Sequence, residues 1–134
     1  MAASLYVTHT IAEDSGKVVG GIVTTISGSS RNYAETNVAA SQTNTQFDVE
    51  IDVTNAKVIS IVSDADCTIK TNNSSTPADT LTLVANKPLV WDETQTKDAA
   101  AAIEKFLSAD VTTLYVTTGA IGAAGATIKI LWLK

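Results

Sequence analysis

Strict alternation of apolar and acidic residues is the feature that most constrains how this chain can fold. Within Phe47–Val53 every second residue is apolar and each residue between carries a carboxylate. Successive side chains of a β-strand point to opposite faces, so this period of two predicts a half-buried antiparallel strand with an acidic outer face. Carboxylates at alternate positions lie roughly 6.5–7 Å apart, too far to share one calcium ion unaided. We therefore interpret Asp48, Glu50 and Asp52 as a solvated face.

Further segments rich in Val, Ile and Thr recur about every 8–12 residues, which is the spacing of a sandwich or barrel. Turn-forming residues separate them, and Gly20-Gly21 predicts a bulge or bend inside one of them. We predict additional strands at 5–11, 17–27, 57–63, 67–72, 79–85, 88–92, 111–118 and 127–133. The sequence thus predicts a single all-β domain over residues 1–134. We expect an antiparallel β-sandwich of about eight strands, with a jelly-roll-like order as one form of it.

A polar segment interrupts the strand pattern near the N-terminal end. Ser27–Thr45 is barely periodic, and we predict a polar loop or arm there, at about 27–45. Loops of this length are usually functional or flexible rather than filler. Near the other end, Gly119–Ala126 consists of small residues around a single isoleucine. It predicts a hairpin turn, or alternatively a tip that packs on a neighbouring chain, because Gly and Ala permit close backbone approach.

One segment has the composition of a helix. Thr96–Ala109 is rich in alanine and other strong helix formers. Thr96 is a suitable N-cap, and Ile103, Phe106 and Leu107 have the spacing of one helical face. We predict one short α-helix near residues 97–108.

Composition excludes several classes of protein. The 134 residues include 9 Lys+Arg against 14 Asp+Glu, a formal net charge of −5, which is unsuited to nucleic-acid phosphates. The apolar fraction of 45% is too high for a disordered chain. No run of about 18 apolar residues is present, so we expect no membrane span. The first residues lack the basic and apolar regions of a signal peptide, and we expect synthesis in the cytoplasm.

The residues that usually carry catalysis are scarce. Cys67, His9 and Arg31 are each the single residue of their type, so an internal disulfide and a Cys- or His-based zinc site are excluded. Phosphate-loop, dinucleotide, zinc-protease, nucleophile-elbow and EF-hand motifs are absent from the sequence. We expect no enzyme, no cofactor and no metal. A small hydrolase using a Cys67/His9 pair is the alternative in this class.

The two tryptophans bear on ligand binding. Trp91 and Trp132 lie in apolar strand patterns and are interpreted as core or interface anchors. A carbohydrate-binding β-sandwich normally needs exposed aromatic platforms, so this function is an alternative that depends on their exposure. Tyr33, in the polar segment, is the better candidate for an exposed contact.

Three short stretches resemble a known class of protein. They read SDADCTIKTNNSS at 63–75, DTLTLVANKPLVW at 79–91 and DVTTLYVT at 110–117. Together they resemble small all-β virion proteins of tailed bacteriophages that look like capsid cement or decoration proteins. The resemblance covers roughly the C-terminal half of the chain. The alanine-rich segment between Trp91 and Asp110 is an insertion relative to that pattern, and Ser27–Thr45 is not part of it.

The resemblance implies a virion structural protein that decorates or cements the capsid by binding across capsomer boundaries. It implies the major capsid protein as partner, a place on the capsid surface, and a homo-oligomer with a trimer favoured. A phage tail, baseplate or fibre-associated structural protein is the first alternative, and a carbohydrate-binding module the second. The polar segment and the small-residue tip supply the candidate interface residues: Arg31, Asn32, Tyr33, Asn37, Gln42, Ile121 and Gly122.

Overall fold

The fold is all-β, in agreement with the period of two in the sequence. A computed structural model describes residues 3–12, 18–98, 101–119 and 125–134, and these ranges contain no helix. Their twelve strands are β1 (Ala3–Ala12), β2 (Val18–Gly28), β3 (Arg31–Val38), β4 (Thr45–Ile51), β5 (Val58–Ser63), β6 (Cys67–Thr71), β7 (Thr80–Leu83), β8 (Leu89–Asp92), β9 (Thr96–Asp98), β10 (Ala101–Ala102), β11 (Val111–Thr118) and β12 (Ala126–Leu133).

Two four-stranded antiparallel sheets form a β-sandwich, as predicted. The β3 sheet has the order β3-β12-β5-β8, and the β4 sheet has the order β4-β11-β6-β7. Apart from the β6–β7 hairpin, chain neighbours among these strands belong to opposite sheets. Strands that are consecutive in the chain therefore alternate between the two layers.

The core lies between the two sheets, where alternate side chains of both are fully buried. Ile59 and Ile61 of β5 and Ile128 and Ile130 of β12 have no exposed surface. Leu114 of β11 is equally buried on the β4 sheet. Each such side chain contributes about 1.5–3 kcal/mol by leaving water. The same alternation that predicted the strands thus supplies the inner faces of the sandwich.

The remaining strands show that the expected number of about eight was too low. β1 and β2 pair only with each other within the described ranges, and β9 pairs with β10. The β1–β2 pairing runs from Ala3 opposite Gly28 to Ala12 opposite Val18, with a register shift between Ile11 and Ala12. Gly20 stands opposite Ile11 at this irregularity, close to the predicted bulge. We call β1 and β2 together the N-terminal hairpin.

The predicted helix near 97–108 is wrong in the described residues, which exclude residues 99–100. β9 and β10 form a short antiparallel pair, and residues 103–110 are irregular. The backbone of residues 103–108 bonds to neighbouring elements rather than in a helical pattern. Ile103 accepts a hydrogen bond from Trp91 Nε1 at 2.7 Å, and the Ser108 amide donates to Asp79 at 3.0 Å. Tertiary contacts of this kind override intrinsic helix propensity.

The predicted loop or arm at about 27–45 is also corrected, because its central residues 31–38 form strand β3. Exposure alternates along this strand, and Asn32, Ala34 and Thr36 occupy its half-buried inner positions. β3 lies at an edge of its sheet, where the inner positions are only partly covered. Small and polar residues are tolerated at such positions, so the period of two is not visible as an apolar alternation.

Candidate contact surface

On the outer face of the β3 sheet, residues of neighbouring strands align in rows that run across the sheet. These rows are not evident from the sequence alone. Register aligns Tyr33 with Leu131, Leu131 with Ser60, and Ser60 with Val90, so one row crosses all four strands. Tyr33 at one end is 57% exposed and Val90 at the other is 39% exposed. Leu131 and Ser60 between them are half-buried. We call these four residues the Tyr33 row.

The N-terminal hairpin covers the neighbouring row on the same face. Leu133 and Val58 stand opposite each other in register and are buried, although they belong to the outer face. Ala3, Leu5 and Val7 of the hairpin pack against them, together with the buried Ile26. This second apolar cluster is separate from the core between the sheets. The base of the hairpin therefore acts as a cover for one end of the β3 sheet.

The junction between hairpin and sandwich is held by backbone hydrogen bonds. The carbonyl of Lys134 accepts from the amides of Ser29 and Ser30, and the Lys134 amide donates to Ser30 at 3.0 Å. Gly28 lies so close to this end of the chain that an added Cβ would stand 2.3 Å from the Lys134 carbonyl oxygen. Lys57 Nζ also donates to the Ser27 carbonyl at 2.9 Å. These contacts fix where the hairpin leaves the sandwich.

Three of the predicted interface residues lie on the same face of β3. Arg31, Tyr33 and Asn37 are exposed at alternate positions on the outer face, with Glu35 between the last two. The Tyr33 hydroxyl donates to the Glu35 carboxylate, and this hydrogen bond raises the pKa of Tyr33 above its ordinary value of 10.0. Lys129 stands opposite Glu35 on β12. The polar part of this face thus consists of charged residues on β3 and β12 and the amide of Asn37.

The other predicted interface residues are placed elsewhere. Asn32 lies on the inner side of β3, and its amide donates to Ser30 at 3.3 Å. Gln42 follows β3 in a turn, where its backbone exchanges hydrogen bonds with Thr118 at 3.0 Å. Ile121 and Gly122 lie outside the described residues. The structure therefore brings Arg31, Tyr33 and Asn37 together, and separates them from Asn32 and Gln42.

We next consider the described residues that could bind a metal ion or act as a nucleophile, namely the acidic residues of β4 and Cys67. Asp48 and Glu50 are exposed on β4, and no group of three His, Cys, Asp or Glu residues in the described ranges is arranged to hold a metal ion. Cys67 is buried, and burial raises the pKa of its thiol. The side chain of His9 lies outside the description. Helices that could span a membrane are likewise absent from the described part of the chain.

Both tryptophans belong to the core of the sandwich. Trp91 is 8% exposed and Trp132 is 7% exposed, so neither offers a platform for a sugar ring. The Trp91 indole is held by its hydrogen bond to Ile103 and by Lys105 Nζ, 4.9 Å from the ring centroid. This agrees with their interpretation as core anchors.

Sequence reasoning missed the apolar members of the contact surface. Leu131 and Val90 were assigned to strands, but their place in one row with Tyr33 depends on pairing between distant segments. The N-terminal hairpin was likewise predicted as two strands of the sandwich. Neither β1 nor β2 contains a charged residue, but this does not indicate which strands they pair with.

Comparison with known proteins gives limited information. No family model matches the chain, and no curated protein sequence matches it. Among solved structures, the chain is similar to a protein of Bacillus endospore appendages, which are described as a novel family of disulfide-linked pili. That similarity has a TM-score of 0.37 and 10% identity, and covers 78% of this chain and 85% of the other.

Proposed function

We propose that this chain is a structural protein of a bacteriophage virion that decorates or cements the capsid. In this proposal it sits on the capsid surface, binds the major capsid protein across capsomer boundaries, and acts without enzymatic activity or cofactor. A homo-oligomer, with a trimer favoured, would place several copies of one contact surface around a symmetry axis. Binding energy alone would then stabilise the shell by mass action.

The resemblance of residues 63–75, 79–91 and 110–117 to phage virion proteins is the observation that carries the proposal. In the structure these stretches include strands β6 and β7 and most of β8 and β11, which contribute to both layers of the sandwich. The resemblance therefore concerns the framework of the domain rather than one peripheral loop. A rigid framework of this kind suits a protein that joins surfaces, because little conformational entropy is lost on binding.

We also propose a jelly-roll arrangement for the sandwich. Numbering the eight strands of the two large sheets along the chain, from β3 as first to β12 as eighth, gives the orders 1-8-3-6 and 2-7-4-5. These orders support two interlocked Greek keys, the pattern of double-sheet jelly rolls, an architecture also used by viral capsid domains. The N-terminal hairpin is an addition to that set.

Binding to shells tests the proposed function. Purified chain is mixed with empty capsids of the phage that encodes it, and the capsids are pelleted. We expect the chain to pellet with capsids, and we expect Arg31→Glu or Asn37→Arg to reduce the bound fraction, because both residues are exposed on the edge strand β3. Val84→Lys, at an exposed position directly after β7 of the other sheet, is the matched control. Absence of wild-type chain from the capsid pellet would contradict the proposal.

A further inference from the structure

Strand β3 has one unpaired edge. Within the described ranges it pairs with β12 alone, in an unbroken register over the eight residues from Arg31 to Val38. Native proteins usually shorten, bend or interrupt such edges. The other three edges of the two large sheets follow this rule, because β7 and β8 have four residues each and a register shift interrupts the pairing of β4. Among the described sheet edges, β3 is therefore the long and regular one.

The direction of the free backbone groups on β3 follows from its register. Ser30 and Lys134 exchange both of their backbone hydrogen bonds, each at 3.0 Å, directly before the start of β3. Hydrogen-bonded pairs occupy every second position of an antiparallel ladder. The even-numbered residues of β3 therefore bond to β12, and the odd-numbered residues direct their amides and carbonyls to the free edge. The odd-numbered residues also have the exposed side chains, and they are Arg31, Tyr33, Glu35 and Asn37.

The charges on this edge are arranged symmetrically about Tyr33. Arg31 lies two residues before it and Glu35 two residues after it, on the same face. Within the described residues neither charged side chain has an ion-pair partner, although Glu35 accepts a hydrogen bond from the Tyr33 hydroxyl. Two antiparallel copies of this edge that meet at Tyr33 place each Arg31 opposite the Glu35 of the other copy. Opposite charges at directly paired positions stabilise an antiparallel pair, whereas like charges destabilise it.

We propose that β3 pairs with β3 of a second copy of this chain, antiparallel and with Tyr33 opposite Tyr33 across a twofold axis. Each residue pair in this register exchanges both of its backbone hydrogen bonds, because the odd-numbered residues face the free edge. The two β3 sheets then form one continuous antiparallel sheet, closed by the twofold symmetry. Self-pairing of β4 is less favourable, because its exposed Asp48 and Glu50 would meet carboxylates. The inference does not rest on the capsid proposal, whose favoured trimer requires a different contact.

Charge reversal at the two ends of the contact tests its register. Arg31→Glu and Glu35→Arg each set like charges against each other at both ends of the dimer. We expect either variant to dimerise about tenfold more weakly than wild type. A mixture of the two variants brings opposite charges together again at both ends. We therefore expect heterodimers with close to wild-type affinity, measured by sedimentation equilibrium and identified by native mass spectrometry.

The matched control for charge reversal is Glu50→Arg, which makes the same change in charge on the exposed face of β4. It should dimerise as tightly as wild type, and should not restore the association of Arg31→Glu to the wild-type level. A wild-type chain that is monomeric at every accessible concentration contradicts the inference. So does a mixture of Arg31→Glu and Glu35→Arg that associates no more tightly than either variant alone.

A single introduced cysteine gives a second measurement. In the proposed register the Cα atoms of Tyr33→Cys lie about 5.5 Å apart across the twofold axis, within the range of a disulfide. Asn37→Cys is also exposed on this face of β3, but lies more than about 25 Å from its counterpart. The buried native Cys67 is present in both variants. Under mild oxidation we expect covalent dimers of Tyr33→Cys and only a background level for Asn37→Cys, and equal yields would overturn the proposal.

Discussion

Asp92 and Asp64 accept hydrogen bonds that connect turns to strands of the β3 sheet. Asp92 ends β8 and is fully buried, and it accepts from the Thr94 amide at 3.0 Å and from Gln95 Nε2 at 3.0 Å. Asp64 follows β5 and accepts from the Thr127 amide at 2.6 Å. The burial of Asp92 could not be predicted from the sequence, because it depends on which segments fold over it.

Replacement of Asp92 by alanine should lower the stability of the sandwich. The change removes the buried carboxylate that accepts hydrogen bonds from Thr94 and Gln95, and we expect the free energy of unfolding to fall by about 2–3 kcal/mol. Urea denaturation measures this difference. Glu93→Ala removes the adjacent carboxylate, whose ion pair with Lys57 at 3.8 Å is solvent-exposed, and should have a much smaller effect. Equal losses in both variants would show that the Asp92 contacts do not stabilise the fold.

Asp64 should make stability depend on acid pH. The hydrogen bond from the Thr127 amide holds the pKa of Asp64 below its ordinary value of 3.8. Its stabilising contribution is therefore complete above that value, and is lost as the pH falls through the lower pKa of the folded state. We expect Asp64→Asn to unfold with a weaker pH dependence than wild type below about pH 4. Urea midpoints measured across this range test the effect.

The matched control for Asp64 is Glu50→Gln, which removes one negative charge from the exposed face of β4. It should retain the acid dependence of the wild-type chain. An Asp64→Asn chain that loses stability with acid as steeply as wild type would contradict the assigned role.

The N-terminal hairpin is the element whose position in the fold differs most from the predicted position. Its two strands were predicted correctly as strands, but their place outside the two large sheets was not. Strand pairing is decided by contacts between distant segments, and two uncharged strands next to each other in the chain give no sign of which partner they choose. The misassigned helix and the missed strand β3 have the same origin. In both, contacts with other elements outweigh the local composition.

Removal of residues 1–28 should leave a folded sandwich of lower stability. The apolar cluster around Leu133 and Val58 is separate from the main core, so the core does not require the hairpin. Exposure of these two side chains should cost about 3–6 kcal/mol in all. Thermal unfolding followed by circular dichroism measures the change. A truncated chain without a cooperative transition would show that the hairpin is part of the folding unit.

At the scale of the whole molecule, period-two patterning was sufficient to predict an all-β antiparallel sandwich. Half-buried strands with one solvent face, such as β4, carry this pattern most clearly. The Tyr33 row was only partly predictable. Tyr33 was identified as an exposed aromatic residue in a polar segment, but Leu131 and Val90 join it through cross-strand register. A contact surface that spans four strands is a property of topology, and a linear pattern does not contain it.

We propose that this chain is a capsid-decorating structural protein, and its position in purified virions tests this proposal most directly. Particles are collected from cells that produce the phage encoding the chain, and the chain is located by antibody-gold labelling in the electron microscope. We predict label distributed over the heads of the particles. Label restricted to the tail or baseplate would support the alternative tail function instead, and intact particles that lack the chain altogether would contradict a virion role.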